Sequence, residues 1–360
     1  MSKIRAGIVG CGGIANGKHL PSIQATGEVD LVAFCDIVRE RAETACQAYG
    51  AEGAMVYEDY KELLKDDSIQ AVYVCTPNRS HSFITIDALD AGKHVMCEKP
   101  MAKTYAEAVQ MVEAAKRNNR VLTIGYQNRR SAASMYIKQA AEAGDLGEIY
   151  YAKAHAVRRR AVPTWGVFLN EYEQGGGPLI DIGTHALDLT LWCMNNYKPR
   201  MVVGASFRKL ADQTDTGNAW GDWDPKEFTV EDSCFGFIVM EDGATISLES
   251  SWALNTLDVI EASTTLCGTE GGADMRDGVR INGVKHGKQY TLKPDLSAGG
   301  VAFYDGASGK PEEIEAKMFV DAINKGTEPS TLPEQAAVVT RILEAIYESA
   351  KTGKPVYLSD

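Results

Sequence analysis

Arg5-Ala6-Gly7-Ile8-Val9-Gly10-Cys11-Gly12-Gly13-Ile14-Ala15 decides the fold of the first part of this chain. The first five residues are a short, apolar, β-prone run of the kind that forms a buried parallel strand. The next six read G-x-G-x-x-A at a strand-to-helix turn. Gly10 permits the tight turn, Gly12 lets the backbone approach a pyrophosphate, and Ala15 allows helix to pack closely on sheet. Free N–H groups at the helix N-terminus then meet the phosphates. Gly10, Gly12, Gly13 and Ile14 are accordingly the candidate phosphate cradle. A lone match of this type is weak. It gains force from Val29-Asp30-Leu31-Val32-Ala33-Phe34-Cys35-Asp36, a second strand ending in an acid roughly 20 residues beyond the glycines. A carboxylate there accepts hydrogen bonds from ribose hydroxyls and repels a 2′-phosphate, which favours NAD over NADP. Arg39 and Arg41 lie near enough to accommodate that phosphate instead, and a glycine-rich turn with no ligand is the remaining alternative.

Strands and helices then alternate to about residue 125, as a doubly wound α/β sheet requires. An Ala/Glu/Arg-rich helical stretch follows Asp36, and Tyr60-Lys61-Glu62-Leu63-Leu64 reads as a short helix. Ala71-Val72-Tyr73-Val74-Cys75 is a buried strand ending in Thr76-Pro77-Asn78 at the carboxyl edge of the sheet, where ligands bind in such folds. Asn78 or Ser80 serves equally well as a cap for the next helix. His94-Val95-Met96-Cys97 delivers Glu98-Lys99-Pro100 to the same edge. A helix from Ala102 to Arg117 and the strand Val121-Leu122-Thr123-Ile124-Gly125 close a Rossmann domain over 1–125. Residues 126–360 are expected to form a second, α/β domain.

The chain has 360 residues, long enough for two substantial cores. Its 37 basic and 49 acidic residues give a net charge of −12 with no long basic block, which argues against nucleic acid and anionic membrane as partners. Met1-Ser2-Lys3-Ile4-Arg5 runs straight into the first strand, and no stretch is long and apolar enough to span a bilayer, so a cytoplasmic location is expected. The eight cysteines sit mostly in apolar runs with no CxxC pair. They read as reduced core thiols, with neither a disulfide framework nor a metal site expected.

The motifs stand in a telling order: G-x-G-G-I-A, an acid-ended second strand, Thr76-Pro77-Asn78-Arg79-Ser80-His81, Glu98-Lys99-Pro100, then Asp181-Ile182-Gly183-Thr184-His185. In this the chain resembles, over essentially its whole length, the glucose–fructose oxidoreductase, inositol dehydrogenase and MocA family. That resemblance implies a second domain with a large, mostly antiparallel open sheet whose free face commonly builds a homo-oligomer. Ile149 to Val157, Met201 to Phe207, Asp232 to Met240 and Ala244 to Trp252 have strand character, with a hairpin signal at Glu241-Asp242-Gly243. Phe319 to Ile323 and Glu334 to Ser349 read as helices.

Oxidising a secondary alcohol needs a base near neutral pKa and a cation to stabilise developing alkoxide. His185 is the candidate base. Asp181, four residues earlier, shares its face if the segment is helical and can orient the imidazole or bind a substrate hydroxyl. The resemblance gives Lys99 the catalytic place beside the reacting oxygen, and Pro100 follows a bond that is often cis in the family. It also implies cofactor contacts for Thr76, Asn78, His81, Glu98 and Lys99, with Glu98 on the nicotinamide-side ribose. Gln127 and Asn128 stand where nicotinamide and substrate contacts are expected. Each has a duller explanation: loop charges for Glu98 and Lys99, an N-cap for Asp181, a buried histidine paired with Asp188 for His185.

Arg158-Arg159-Arg160 ends a strand ahead of Pro163-Thr164-Trp165-Gly166-Val167-Phe168. Trp165 can stack on a sugar and Arg160 can bond hydroxyls, unless this run is an oligomer contact or a solvated charge cluster. Trp220 to Asp224 reads as an exposed insertion. The expected activity is NAD-dependent oxidation of a ring hydroxyl of a pyranose or glycoside, with C3 oxidation to a 3-keto sugar in front. Inositol oxidation is the alternative. A closed redox cycle with retained NAD, which includes transient oxidation that enables bond cleavage, and a non-catalytic NAD or sugar sensor stand further off.

Overall fold

The computed structural model describes residues 3–296 and 309–358. The chain divides into two units, Met1–Arg130 with Gly309–Ala337, and Ser131–Ser308 with Val338–Asp360.

In the first unit six parallel strands, β1 (Ile4–Val9), β2 (Val29–Cys35), β3 (Met55–Tyr57), β4 (Ala71–Val74), β5 (His94–Cys97) and β6 (Leu122–Ile124), lie in the order β3-β2-β1-β4-β5-β6. Every residue of β4 is buried, as a strand covered on both faces must be, which explains its unbroken apolar sequence. The chain leaves β1 for β2 on one side and β4 on the other. This reversal of winding is the switch point at whose carboxyl edge ligands bind in open α/β sheets.

The late segment is the departure from a simple division at residue 125. The helix Pro311–Lys325 contributes Phe319 and Val320 to the core cluster that holds Ile8, Leu20, Phe34 and Tyr73. Phe319 meets Tyr73 edge to face at 5.5 Å. Arg129 donates to the Gln335 side chain (2.7 Å) and Arg130 to the Ser330 carbonyl (2.7 Å). Without this helix the first core would lack one wall.

The second unit holds a nine-stranded sheet of β7 (Ile149–Val157), β8 (Pro199–Phe207), β9 (Ser233–Met240), β10 (Thr245–Ser251), β11 (Ile260–Gly268), β12 (Gly271–Asp274), β13 (Arg280–Lys285), β14 (Lys288–Leu292) and β15 (Val356–Tyr357). Their order is β14-β13-β12-β11-β7-β10-β9-β8-β15, antiparallel throughout except for β7 beside β10. The turn after Met240 closes as expected, with Gly243 at φ 93° and its N–H on the Met240 carbonyl. The helix Pro311–Lys325 extends well beyond the expected 319–323, and the last long helix runs Pro333–Thr352. Among the described residues no helix is long and apolar enough to cross a membrane.

Candidate active site

At the carboxyl edge of the parallel sheet the loop after β1 is fixed from three sides. Gly10 has φ 92°, and a Cβ there would sit 2.6 Å from the Cys75 carbonyl, so only glycine lets the ends of β1 and β4 come this close. Asp36, at the tip of β2, accepts from the Cys11 N–H and the Val38 N–H, each at 2.8 Å. Its carboxylate therefore holds the glycine loop. Asn16 Nδ2 donates to the Cys11 and Gly12 carbonyls. No atom lies within 4 Å of a Cβ built on Gly12 or Gly13, and Ile14 is 44% exposed, so the loop's outer side is open where a pyrophosphate needs backbone N–H groups. Arg39 is engaged with Glu43 (2.8 Å) and Glu58 (3.3 Å), so this residue is already partnered by acids.

Thr76 follows β4 with its hydroxyl buried and lacking a hydrogen-bond partner among the described residues. A buried hydroxyl left so is costly, and a ligand group is one way to satisfy it. With the open cradle and Asp36, it makes the residues present fit a dinucleotide. His81 does not fit the expected cofactor contact. It is 1% exposed, and its two ring nitrogens face the Pro100 carbonyl (2.7 Å) and the Thr76 carbonyl (2.8 Å), which ties the loops after β4 and β5 together. Burial pushes its pKa down. Ser80 opens the helix His81–Asp90 without a side-chain cap and turns its hydroxyl onto the Pro77 carbonyl, while Asn78 is half-buried in the short turn before it.

Glu98 is likewise more than an open ribose ligand. Only 5% exposed, it accepts from Lys18 Nζ and His19 Nε2 on Oε1, both at 2.7 Å, and from the Lys99 N–H on Oε2 at 3.0 Å. Lys18 also reaches Gln127 Oε1 (2.9 Å) and Glu315 Oε2 (3.3 Å). Burial alone would raise the Glu98 pKa, but Lys18 and His19 outweigh it and hold the carboxyl far below its usual range. For Glu315 burial wins over Lys18, and its pKa rises to about 7. Lys18 itself is kept charged because Glu98 and Glu315 together exceed its own desolvation. His19 is pushed down by burial and by Lys18, so it serves as a neutral donor to Glu98. The brace under Lys99 is thus a closed group of buried charges. Lys99 is half-buried, its bond to Pro100 is cis, and Asn128 is half-buried on the turn Gln127–Arg130 after β6.

In the second unit Asp181 and His185 lie on one continuous helical stretch, a wide π turn (Leu179–Gly183) running into Thr184–Met194. Asp181 is inside the helix, which rules out its reading as an N-cap, and the four-residue spacing keeps it on the side of His185. Glu231 fixes the start of this helix. Its carboxylate accepts from the Gly177 N–H (2.8 Å), the Leu179 N–H (3.2 Å) and the Tyr347 hydroxyl (2.8 Å). A Cβ on Gly177 would collide with the Glu231 carbonyl, so the glycine run before Asp181 is required for this packing. Ser250 adds a bond to the Pro178 carbonyl (2.8 Å).

Asp181 Oδ2 accepts from Trp252 Nε1 at 3.0 Å. From that buried indole a chain of edge-to-face rings runs outward: Trp252 to Phe168 (6.5 Å), Phe168 to Trp165 (5.9 Å), Trp165 to Trp220 (4.9 Å). Trp165 is 52% exposed and Trp220 44%, whereas Trp223, read as part of an exposed insertion, is buried with its N–H on the Ala211 carbonyl. Of the arginine triplet, Arg158 forms a two-pronged pair with Glu261 and lies 5.3 Å over the Trp220 ring. Arg160 is engaged with Asn255 (2.6 Å) and the Arg159 carbonyl (2.7 Å), so the residue expected to bind hydroxyls is already paired. Sequence reading had no local signal for Glu231, Tyr347 or Glu315. For Lys18 the hint was a polar pair, Lys18-His19, placed directly before buried Leu20.

Residues 4–126 match the oxidoreductase family with an NAD-binding Rossmann fold, and residues 134–274 match the GFO/IDH/MocA C-terminal domain. D-glucoside 3-dehydrogenase of Escherichia coli strain K12 is 35% identical over 99% of this chain and 98% of its own length. Inositol 2-dehydrogenase of Salmonella paratyphi B is 33% identical over 54% of this chain and 56% of its own. A solved levoglucosan dehydrogenase in complex with NADH and levoglucosan shares the fold, with a TM-score of 0.83 at 22% identity and full coverage of both chains.

Proposed function

As this chain belongs to the GFO/IDH/MocA family of NAD-binding oxidoreductases, we propose that it oxidises a secondary ring hydroxyl of a pyranose sugar or glycoside, at C3 to give a 3-keto sugar. It is an NAD-dependent dehydrogenase. Similarity along the whole chain to a glucoside 3-dehydrogenase carries the choice of substrate and carbon. Bound NAD supplies the hydride acceptor. The phosphates are held by the backbone of Gly10, Gly12, Gly13 and Ile14, and Asp36 selects against a 2′-phosphate while bracing that loop. Lys99 donates to the reacting oxygen and stabilises negative charge there. His185 takes the hydroxyl proton, and Asp181 orients the imidazole or a substrate hydroxyl, itself aimed by the Trp252 N–H. Glu98 keeps Lys99 in place through its main-chain N–H.

The test is reduced-nicotinamide absorbance when the protein meets NAD with glucose, methyl glucoside or myo-inositol. A rise with the glucoside and a 3-keto product support the reading. A rise with myo-inositol alone favours the cyclitol reading, which the half-length similarity to an inositol dehydrogenase supports. No rise with any of them overturns a freely turning dehydrogenase and leaves a retained-NAD cycle or a sensor.

The same reading includes self-association through the open sheet and a cytoplasmic setting. Val203 and Phe237 pair across β8 and β9, and both are exposed, as is Phe207 beside Phe235. Such apolar contacts on a solvent-facing sheet are what a subunit interface covers. Eight unpaired cysteines support a reducing compartment. A monomeric mass by light scattering would remove the oligomer.

A further inference from the structure

We propose that Trp165 and Trp220 form a subsite for an aromatic aglycone, so that the preferred substrate is an aryl glycoside and not a free sugar or a disaccharide. The inference rests on the glycoside reading above and deepens it. Two large indoles stand about half exposed, 4.9 Å apart and inclined at 80°, forming an edge-to-face corner. Planar aromatic groups are taken up in that arrangement. The corner is joined to Asp181 through Phe168 and the buried Trp252 in successive ring contacts, so it belongs to the same aromatic layer that aims Asp181.

What surrounds the corner decides between an aromatic ring and a second sugar. A sugar there would need several hydrogen-bonding partners for its hydroxyls, because hydroxyls taken from water unpaired are costly. The nearby polar side chains named next are already engaged with side-chain or main-chain partners. Arg158 is held by Glu261, Arg160 by Asn255, and the Thr164 hydroxyl by the Trp220 carbonyl. Asn218 is held by Val162 and Gly221 main chain. The corner therefore offers ring surface and few free polar groups.

The experiment compares kcat/KM for methyl β-glucoside, phenyl β-glucoside and cellobiose, using the full chain with NAD, in the wild type, Trp220→Ala and Trp220→Phe. Stacking of this kind predicts a preference for the phenyl over the methyl glucoside of about tenfold, mainly in KM. That ratio should fall towards one in Trp220→Ala and recover in Trp220→Phe. Because it is a ratio, general damage to the enzyme cancels. A wild-type ratio near one, an unchanged ratio in Trp220→Ala, or cellobiose matching the phenyl glucoside would overturn the subsite. So would a fall in particle mass in Trp220→Ala with the ratio intact, which would assign the corner to contact between copies. If no glycoside is turned over, the dehydrogenase reading fails separately, and titration of tryptophan fluorescence with phenyl against methyl glucoside still decides the subsite. Tighter binding of the phenyl compound that Trp220→Ala abolishes supports it; equal binding sinks it.

Discussion

Glu98 is enclosed by Lys18, His19 and, through Lys18, Gln127 and Glu315, whereas the polar contact defined at Asp181 is an indole with three further aromatic rings beyond it. The first arrangement positions its loop by balancing buried charges, each dependent on the others, and removing one member leaves an uncompensated charge in a low-dielectric setting. The second aims its carboxylate with an indole N–H that is itself packed on further rings, and altering those outer rings removes packing area and no charge. The group around Glu98 should therefore tolerate less change than the rings beyond Asp181.

The largest expected effects follow from the roles proposed for Lys99 and His185. Lys99→Ala and His185→Ala should each lower kcat by about 10² to 10⁴ while NADH affinity changes little, measured by steady-state rates and NADH fluorescence. Equal losses of rate and of nucleotide affinity in His185→Ala would make that residue structural, and unchanged turnover in Lys99→Ala would remove it from the reaction.

Glu315→Gln probes the charged half. Its carboxyl pKa is raised from 4.5 to about 7, so the folded state binds this proton more tightly than the unfolded chain. The group's contribution to stability is therefore most favourable below pH 4.5, is lost as pH rises towards 7, and leaves a penalty of about 3 kcal/mol above that. Relative to wild type, the melting temperature of Glu315→Gln should improve between about pH 5 and pH 8. A difference that stays flat, or that moves the other way, would show that Lys18 keeps Glu315 ionised throughout.

The smallest effect belongs to the aromatic half. Trp252→Phe keeps a ring against Phe168 and Phe228 but removes the N–H given to Asp181, with an expected cost of about 1 to 2 kcal/mol and a fall of a few degrees in Tm. A collapse of the fold would mean that the two halves are equally intolerant.

How much of this was legible follows from where the information lies along the chain. Gly10 to Ala15, Asp36 and β1, β2, β4, β5 and β6 could be read because a glycine turn, an acid at a strand tip and an apolar run are local signals; β3, three residues with none of them buried, could not. β7 to β10 were legible from alternation, but β11 to β14 were not: Ile260–Gly268 is rich in Ser and Thr, and all five residues of β14 are exposed. The partners of Glu98 and His81, Lys18 and the Pro100 carbonyl, could not be read because they come from distant segments of the chain. Glu231 and Tyr347 were invisible for the same reason, although the glycine run before Asp181 marked the place they hold.

The helix Pro311–Lys325 belongs to the first unit although it comes near the end of the chain. During synthesis, domains commonly fold as they emerge, amino-terminal part first. Here the ribosome releases six parallel strands long before Phe319 and Val320 can cover them or Glu315 can reach Lys18. The nascent nucleotide-binding half must wait, with Tyr73 and its neighbours short of one wall, until nearly the whole protein has been translated. A messenger truncated after the last residue of β14 would yield a chain with every Rossmann strand and no finished Rossmann core.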